Sequence, residues 1–306
     1  MIDPERLSLL LEFDRLGTLT RVAEVRFLST SGVSQQLAVL EREAGVRLLE
    51  RHGRRVRLTE EGALLVRHGH GILASIEAAE TDLQASRTKV AGMIRSAAFS
   101  SGARALLPRT CTALDERFPD LNVTVDESES HESLRRLAVG DIDVAVVDSF
   151  ADEPLIDENL VGGLLMKDRL LVVLPPDHPR AQARSIRMEE LADDPWLLEE
   201  SKTYLGAFVQ RACAEAGFRP SVVARFHNAD VGLAFVAAGR AVTVLPELAV
   251  TAVAPDIATV PLAPSTRRRI IAVVRRTNQR RPGVQAVVAA LKENCAGFVG
   301  IPAQGE

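Results

Sequence analysis

Apolar residues recur at helical spacing through the first ninety positions, then in short runs separated by helical stretches. Asp3 followed by Pro4 predicts a capped helix start, because proline's missing N–H and fixed φ suit the first helical position. Leu7, Leu10, Leu11 and Phe13 give that helix one apolar stripe, and Gly17 stops it. Thr18 or Thr20 can cap a second helix carrying Val22, Ala23 and Val25. A third helix is predicted from Ser29 to Ala44, with Val33, Leu37 and Leu40 spaced by four and three on its buried side. Gly45 ends it. Its other face carries Thr30, Ser31, Ser34 and Gln35, short neutral hydrogen-bonding side chains of the kind that read base edges in a major groove. Two short helices joined by a tight turn outline a helix-turn-helix.

Two short, partly alternating runs follow, 46–51 and 54–58, around His52-Gly53. They predict a two-stranded wing tipped by Arg51, His52, Arg54 and Arg55, suited to phosphate or to the negative potential of a minor groove. Thr59-Glu60-Glu61-Gly62 then opens a helix of about 28 residues, with acids at the positive end of its dipole. Leu65, Ile72, Ile76, Ala79, Leu83 and Val90 trace a coiled-coil seam along it. A seam needs a partner. A second copy of the helix would set two DNA-reading helices side by side; the chain's own next domain is the other candidate.

After a hinge at Lys89–Gly92 the pattern changes. Strands are predicted at 94–99, 122–126, 142–147, 170–174, 222–226, 242–245 and 270–274. Helices are predicted at 102–118, 132–139, 205–216, 231–238 and 284–296. Such alternation argues for an α/β architecture with largely parallel sheets, long enough for two lobes with a cleft between them. Ligands in such folds sit at the carboxyl ends of strands, near helix N-termini.

Composition adds limits. The 306 residues are 46% hydrophobic and 25% charged, an ordinary globular balance, and the net charge is −4. Local sign departs from the total: Arg42, Arg47, Arg51, Arg54, Arg55 and Arg57 stand against Glu43 and Glu50 alone. Cys111, Cys213 and Cys295 lie far apart with no metal-ligand spacing, so reduced thiols, no metal and no cofactor are expected. Neither a secretory leader at Asp3-Pro4-Glu5 nor a run of membrane-spanning length is read, so a cytoplasmic protein off the membrane is expected.

Several blocks together resemble the LysR-type transcriptional regulators. Gly17-Thr18-Leu19-Thr20 with Val22-Ala23-Glu24 is similar to the family's entry to its second helix. Ser34-Gln35-Gln36-Leu37, Leu40-Glu41, Gly45 and Leu48-Leu49-Glu50-Arg51 are similar to its recognition helix and wing start. Arg54-Arg55-Val56-Arg57-Leu58-Thr59 with Gly62 completes the block. Farther on, Phe118-Pro119-Asp120-Leu121, Ala216-Gly217-Phe218-Arg219-Pro220 and Val236-Ala237-Ala238-Gly239 add family-like signals. Departures are Gly32 where Ala is common, Ser31 for Pro, and Leu49 for Phe.

The resemblance implies a winged helix-turn-helix over 1–58, a dimerising linker helix over 59–88 and a hinge at 89–93. A two-lobed α/β effector domain resembling periplasmic solute-binding proteins follows, lobe I being 94–163 with 268–306 and lobe II 164–267. Crossovers between the lobes are expected near Val161–Leu164 and Thr266–Arg269. It implies a homodimer, commonly a dimer of dimers, that binds promoter DNA under a small-molecule effector. Family position and chemistry agree on Thr30, Ser31, Ser34, Gln35, Arg51, Arg54 and Arg55 for DNA. For the effector, Ser100 and Ser101 open a helix whose free N–H groups suit a carboxylate or other small anion. Similar regulators add the turn at Ser130 and His131 and the positions near Ser201, Thr203 and Asn228. An enzyme is not expected: G-x-S-x-G, H-E-x-x-H, a Walker glycine loop and G-x-G-x-x-G after a strand are all missing. The alternative is a cytosolic solute-binding module without DNA regulation.

Overall fold

The computed structural model describes residues 1–52, 55–85, 90–150, 159–200, 203–250 and 256–299. The chain divides into two compact units, Met1–Gln84 and Ala85–Glu306.

The first unit begins with α1 (Pro4–Leu16), capped by the Asp3 carboxylate, which accepts from the Glu5 and Arg6 amides. Gly17, at φ 73°, closes it in the left-handed conformation that costs glycine nothing. Thr18, not Thr20, caps α2 (Leu19–Val25). A tight turn then closes through the Leu28 amide on the Ala23 carbonyl, with Phe27 at φ 53°. Ser29 caps α3 (Thr30–Ala44) by accepting from the Gly32 amide. Gly45 ends it, again left-handed. Leu7, Leu10, Val22, Val33, Leu37, Leu40 and Leu48 form the core, each buried almost completely. Arg6 grips Glu43 through two nitrogens and ties α1 to α3. Glu41 on α3 accepts from the Leu48 and Leu49 amides and so fixes where β1 (Leu49–His52) starts. β1 pairs antiparallel with β2 (Arg55–Leu58), Arg51 opposite Val56.

Thr59 then caps α4 (Glu60–Ala85), accepting from the Gly62 amide while its hydroxyl donates to the Arg47 carbonyl. Of the expected seam, Leu65 packs into the first unit's core, whereas Ile72, Ile76 and Leu83 stay exposed. Val90 does not belong to the seam: it lies outside α4 and packs on the second unit's core.

The second unit holds β3 (Gly92–Ala98), α5 (Ser100–Arg117), β4 (Leu121–Glu127), α6 (Ser130–Ala138), β5 (Val144–Ser149) and β6 (Leu160–Leu174). It continues with β7 (Ile186–Arg187), a 3-10 turn over Met188–Leu191, β8 (Pro195–Glu199), α7 (Tyr204–Glu215), β9 (Ser221–Phe226) and α8 (Ala229–Ala237). It ends with β10 (Thr243–Pro246), α9 (Glu247–Val250), β11 (Ala258–Ala263), β12 (Arg267–Arg275) and α10 (Pro282–Val299). The main sheet runs β4-β3-β5-β12-β6-β11-β7, with β10 also on β6. One apolar cluster gathers Ile94, Leu106, Val144, Ile270, Val284 and Leu291, and defines lobe I. Another gathers Trp196, Leu198, Leu205, Val236, Val242 and Val260, and defines lobe II.

Two sequence expectations need correction. The sheets are mixed, not largely parallel. β3 is parallel to β4 and β5, and β8 to β9, but β12 is antiparallel to β5 and β6, and β10 and β11 are antiparallel to β6. β6 is also continuous through Val161–Leu164, where a crossover is expected. It stays paired with β12 as far as Arg169, opposite Arg267, and enters the lobe II core at Leu170. Two antiparallel strands, β6 and β12, therefore stitch the lobes together.

Candidate functional site

In the first unit, α3 turns Val33, Leu37 and Leu40 fully inward, so the helical period leaves Thr30, Ser31, Ser34 and Gln35 exposed together. Ser31 shares a hydrogen bond with the Ser29 cap at 3.1 Å. A shallow depression beside this face is bounded by Glu5, Arg6, Arg26, Gly32, Gln35 and Gln36. Arg51 is exposed on the wing. Arg55 belongs to β2, and Arg54 lies outside the described residues.

In the second unit a cleft opens between the lobes. Lobe I supplies Phe99, Ser100, Ser101, Arg104, Glu129 and Asp148; lobe II supplies Glu199, Thr203, His227, Asn228 and Ala229; Arg268 stands at the start of β12. The space enclosed between these walls is small, about 40 Å³.

The floor of the cleft is a buried ion cluster. Arg268, 3% exposed, donates to Asp168 at 2.9 Å, Asp148 at 3.0 Å and the Ser101 hydroxyl at 2.8 Å. Its guanidinium also lies 4.7 Å over the Phe99 ring. Asp148 accepts from the Ser130 hydroxyl at 2.6 Å, and Asp168 from the Leu248 amide at 3.1 Å. Burial still pushes the Asp168 carboxyl above its ordinary range, with Arg268 pulling the other way. Arg104 reaches from α5 to the Asp230 carboxylate and the Ala249 carbonyl, clasping one lobe to the other.

Two sequence models match this architecture. Residues 4–63 match "Bacterial regulatory helix-turn-helix protein, lysR family", and residues 87–296 match "LysR substrate binding domain". The chain belongs to the LysR family. As a LysR-type DNA-binding transcriptional regulator it pairs the helix-turn-helix with an effector-binding domain. Relatives include the transcriptional dual regulator GltC of Bacillus subtilis, 27% identical over 217 residues, 71% of either chain. The transcriptional dual regulator OxyR of Escherichia coli is 28% identical over 236 residues, 75% of this chain and 74% of that one. A full-length OxyR variant of Pseudomonas aeruginosa, carrying one cysteine-to-aspartate change, shares the fold with a TM-score of 0.71, at 23% identity over 95% of each chain.

Within this LysR-type effector domain, the structure brings Ser100, Ser101, Thr203 and Asn228 to one cleft. It does not bring Ser130 there: that side chain is fully buried, its hydroxyl bonded to Asp148. His131 is exposed on α6 and absent from the cleft wall. Ser201 lies outside the described residues. Thr203 and Asn228 both cap helices, through the Gly206 and Asp230 amides. Sequence reasoning missed Arg268, Asp148, Asp168, Arg104, Glu129 and Glu199. The signal for the first three was an ionisable residue bordering an apolar run, a costly position unless it is paired.

Glu199 carries a testable charge state. Burial, with Glu129 and Asp148 adding to it, pushes its carboxyl from 4.5 up to about 7, although Thr203 donates to it. The folded chain then binds this proton more tightly than the unfolded one, so Glu199 costs stability as pH rises through that window. In urea melts the Glu199→Gln variant is expected to gain about 1–3 kcal/mol on the wild type between about pH 5 and about pH 8. Parallel pH profiles would refute this.

Proposed function

We propose that this LysR-type regulator reads duplex DNA with Thr30, Ser31, Ser34 and Gln35 on α3, while Arg51, Arg54 and Arg55 hold the phosphate backbone or minor groove. The observation carrying this is the exposed, short, neutral polar face of α3 lying opposite a completely buried apolar one. The same reading divides the chain into a DNA-binding part over 1–58, a linker helix over 59–88, a hinge at 89–93 and an effector part beyond. The exposed Ile72, Ile76 and Leu83 of α4 support pairing with a second copy, and from there a dimer of dimers. The work is done in the cytoplasm, where promoter DNA is, and involves no catalysis; no described helix is long and apolar enough to cross a membrane.

Gel shifts on the protein's own upstream region test the DNA reading. Gln35→Ala is expected to lose about 1–3 kcal/mol on the specific site and little on an unrelated duplex. Arg54→Ala with Arg55→Ala should weaken both and flatten the dependence on salt by roughly one unit for each phosphate no longer neutralised. Unchanged affinity and slope would sink the wing assignment.

The effector seat in this reading is the interlobe cleft, with an acidic group of the ligand at the start of α5. The α5 cap residue Phe99 offers no side-chain acceptor, so the first N–H groups of the helix are free to meet an anion. Some relatives are named hydrogen peroxide-inducible genes activators. Here Cys213 and Cys295 are buried and their thiols are pushed up to about 11, and burial and Asp115 raise the half-buried Cys111 thiol as well, away from the thiolate that peroxide chemistry needs, so the reading rests on the cleft.

A further inference from the structure

The cleft's charges do not cancel. Arg268 is matched by Asp148 and Asp168, and Arg104 by Asp230. That leaves two carboxylates on the wall, Glu129 in lobe I and Glu199 in lobe II. Among the described residues neither has a basic partner within salt-bridge distance, and Glu129 helps to hold the Glu199 carboxyl above its ordinary range. The imidazole of His227, also on the wall, sits 3.1 Å from Glu200 instead. The fold gets little from either group: Glu199 accepts one hydroxyl, from Thr203, and the Glu129 side chain caps nothing on α6. Once both are ionised, Glu199 only as pH rises through about 7, two like charges on the cleft wall oppose closure of the lobes. A cation between them turns that opposition into attraction. At the other end of the same cleft the α5 N-terminus presents its positive dipole end. The cleft is thus dipolar, and residues 87–296 match a substrate-binding domain independently of this charge pattern.

We propose that the effector is a small molecule bearing an ammonium or guanidinium group, which Glu129 and Glu199 grip from opposite lobes while its acidic group meets the start of α5. This rests on the cleft being the effector seat and revises the expectation of a simple anion. Binding draws the lobes together because each supplies half of the cation's cage.

The test uses the full-length protein and thermal-shift titrations with L-lysine, γ-aminobutyrate, butylamine, butyrate and succinate. The three amine-bearing probes are expected to raise the melting temperature with concentration, and butyrate and succinate to be silent. Glu129→Gln with Glu199→Gln should weaken the amines about tenfold or more, since each change removes one charge-assisted hydrogen bond to the cation. Both changes keep side-chain shape, and the unliganded melting temperature checks folding. Ala229→Trp, which puts a bulky ring on the cleft wall, should abolish binding. Succinate binding that Ala229→Trp abolishes would overturn the charge class and leave the cleft standing. Any probe that binds the Ala229→Trp variant as well as the wild type would remove the cleft itself. Silence of all three amines, or amine binding unmoved by the double glutamine change, overturns the proposal.

Discussion

Arg268→Ala is expected to cost about 3–5 kcal/mol of stability, because it strands two buried carboxylates and a buried hydroxyl at once. The loss comes less from the bonds removed than from Asp148 and Asp168 being left charged without a cation. Its pH dependence carries the signature. Arg268 is what holds the Asp168 carboxyl down against burial, so without it that carboxyl rises further. Near pH 5 protonation then relieves part of the penalty, and the deficit against wild type should be smaller than at about pH 8. Combining Arg268→Met with Asp148→Asn and Asp168→Asn should return most of the stability, since a neutral triad has no stranded charge. Chemical denaturation of the wild type and both variants at the two pH values decides it. A deficit that is equal at both, or a triple variant no better than the single one, would place the cost in packing.

The second large effect is expected at Gly62. A Cβ there would stand 2.2 Å from the Leu48 carbonyl oxygen and 3.2 Å from the Leu58 side chain. The clash is with backbone, which cannot swing aside as a side-chain tip can. Leu48 is held by Glu41 from α3 and accepts from the Thr59 amide, so any retreat of its carbonyl disturbs the wing and the start of α4 together. Gly62→Ala should therefore lower stability by about 1–3 kcal/mol, and Gly62→Val by more. Specific DNA affinity should fall with it, because the wing's register is set from the same carbonyl. Thermal melts and gel shifts on one preparation check both. Full affinity with a normal melt would mean that α4 can shift at no cost.

Local features were legible in the sequence because their causes are local. Asp3, Thr18 and Ser29 cap the helices they precede, and Gly17 and Gly45 end theirs, since capping uses residues within one turn. The exposed face of α3 follows from periodicity alone. β8 and β11 were missed because each carries a proline, Pro195 and Pro261, which reads against a strand until its partner is known. Strand direction was misread because side-chain alternation is the same in parallel and antiparallel sheets. The ion cluster was invisible for a different reason. Arg268 meets residues 100, 120 and 167 positions away, and a pattern within one window cannot join them. Ser100 and Ser101 were found as a helix start, yet the carboxylates facing that start from the same cleft were not, and those decide the sign of the ligand.

Gly32 also has a local reason to differ from the alanine common in similar regulators. A Cβ there would come 3.1 Å from the Ser29 hydroxyl oxygen that caps α3 through the Gly32 amide. The cap and the small residue go together.

The path of β12 imposes an order on synthesis. Lobe II is complete once residue 263 has been made, because β6, β8, β9, β10 and β11 all precede that point. Lobe I begins at β3 but needs β12 and α10, which follow every lobe II strand in the chain. Until they arrive, β5 has every side chain apolar or destined for burial and one edge unpaired. The lobe encoded first is thus finished last. Its open edge is what a nascent chain must protect, and a premature stop between residue 263 and β12 would spare the second lobe while leaving the first unmade.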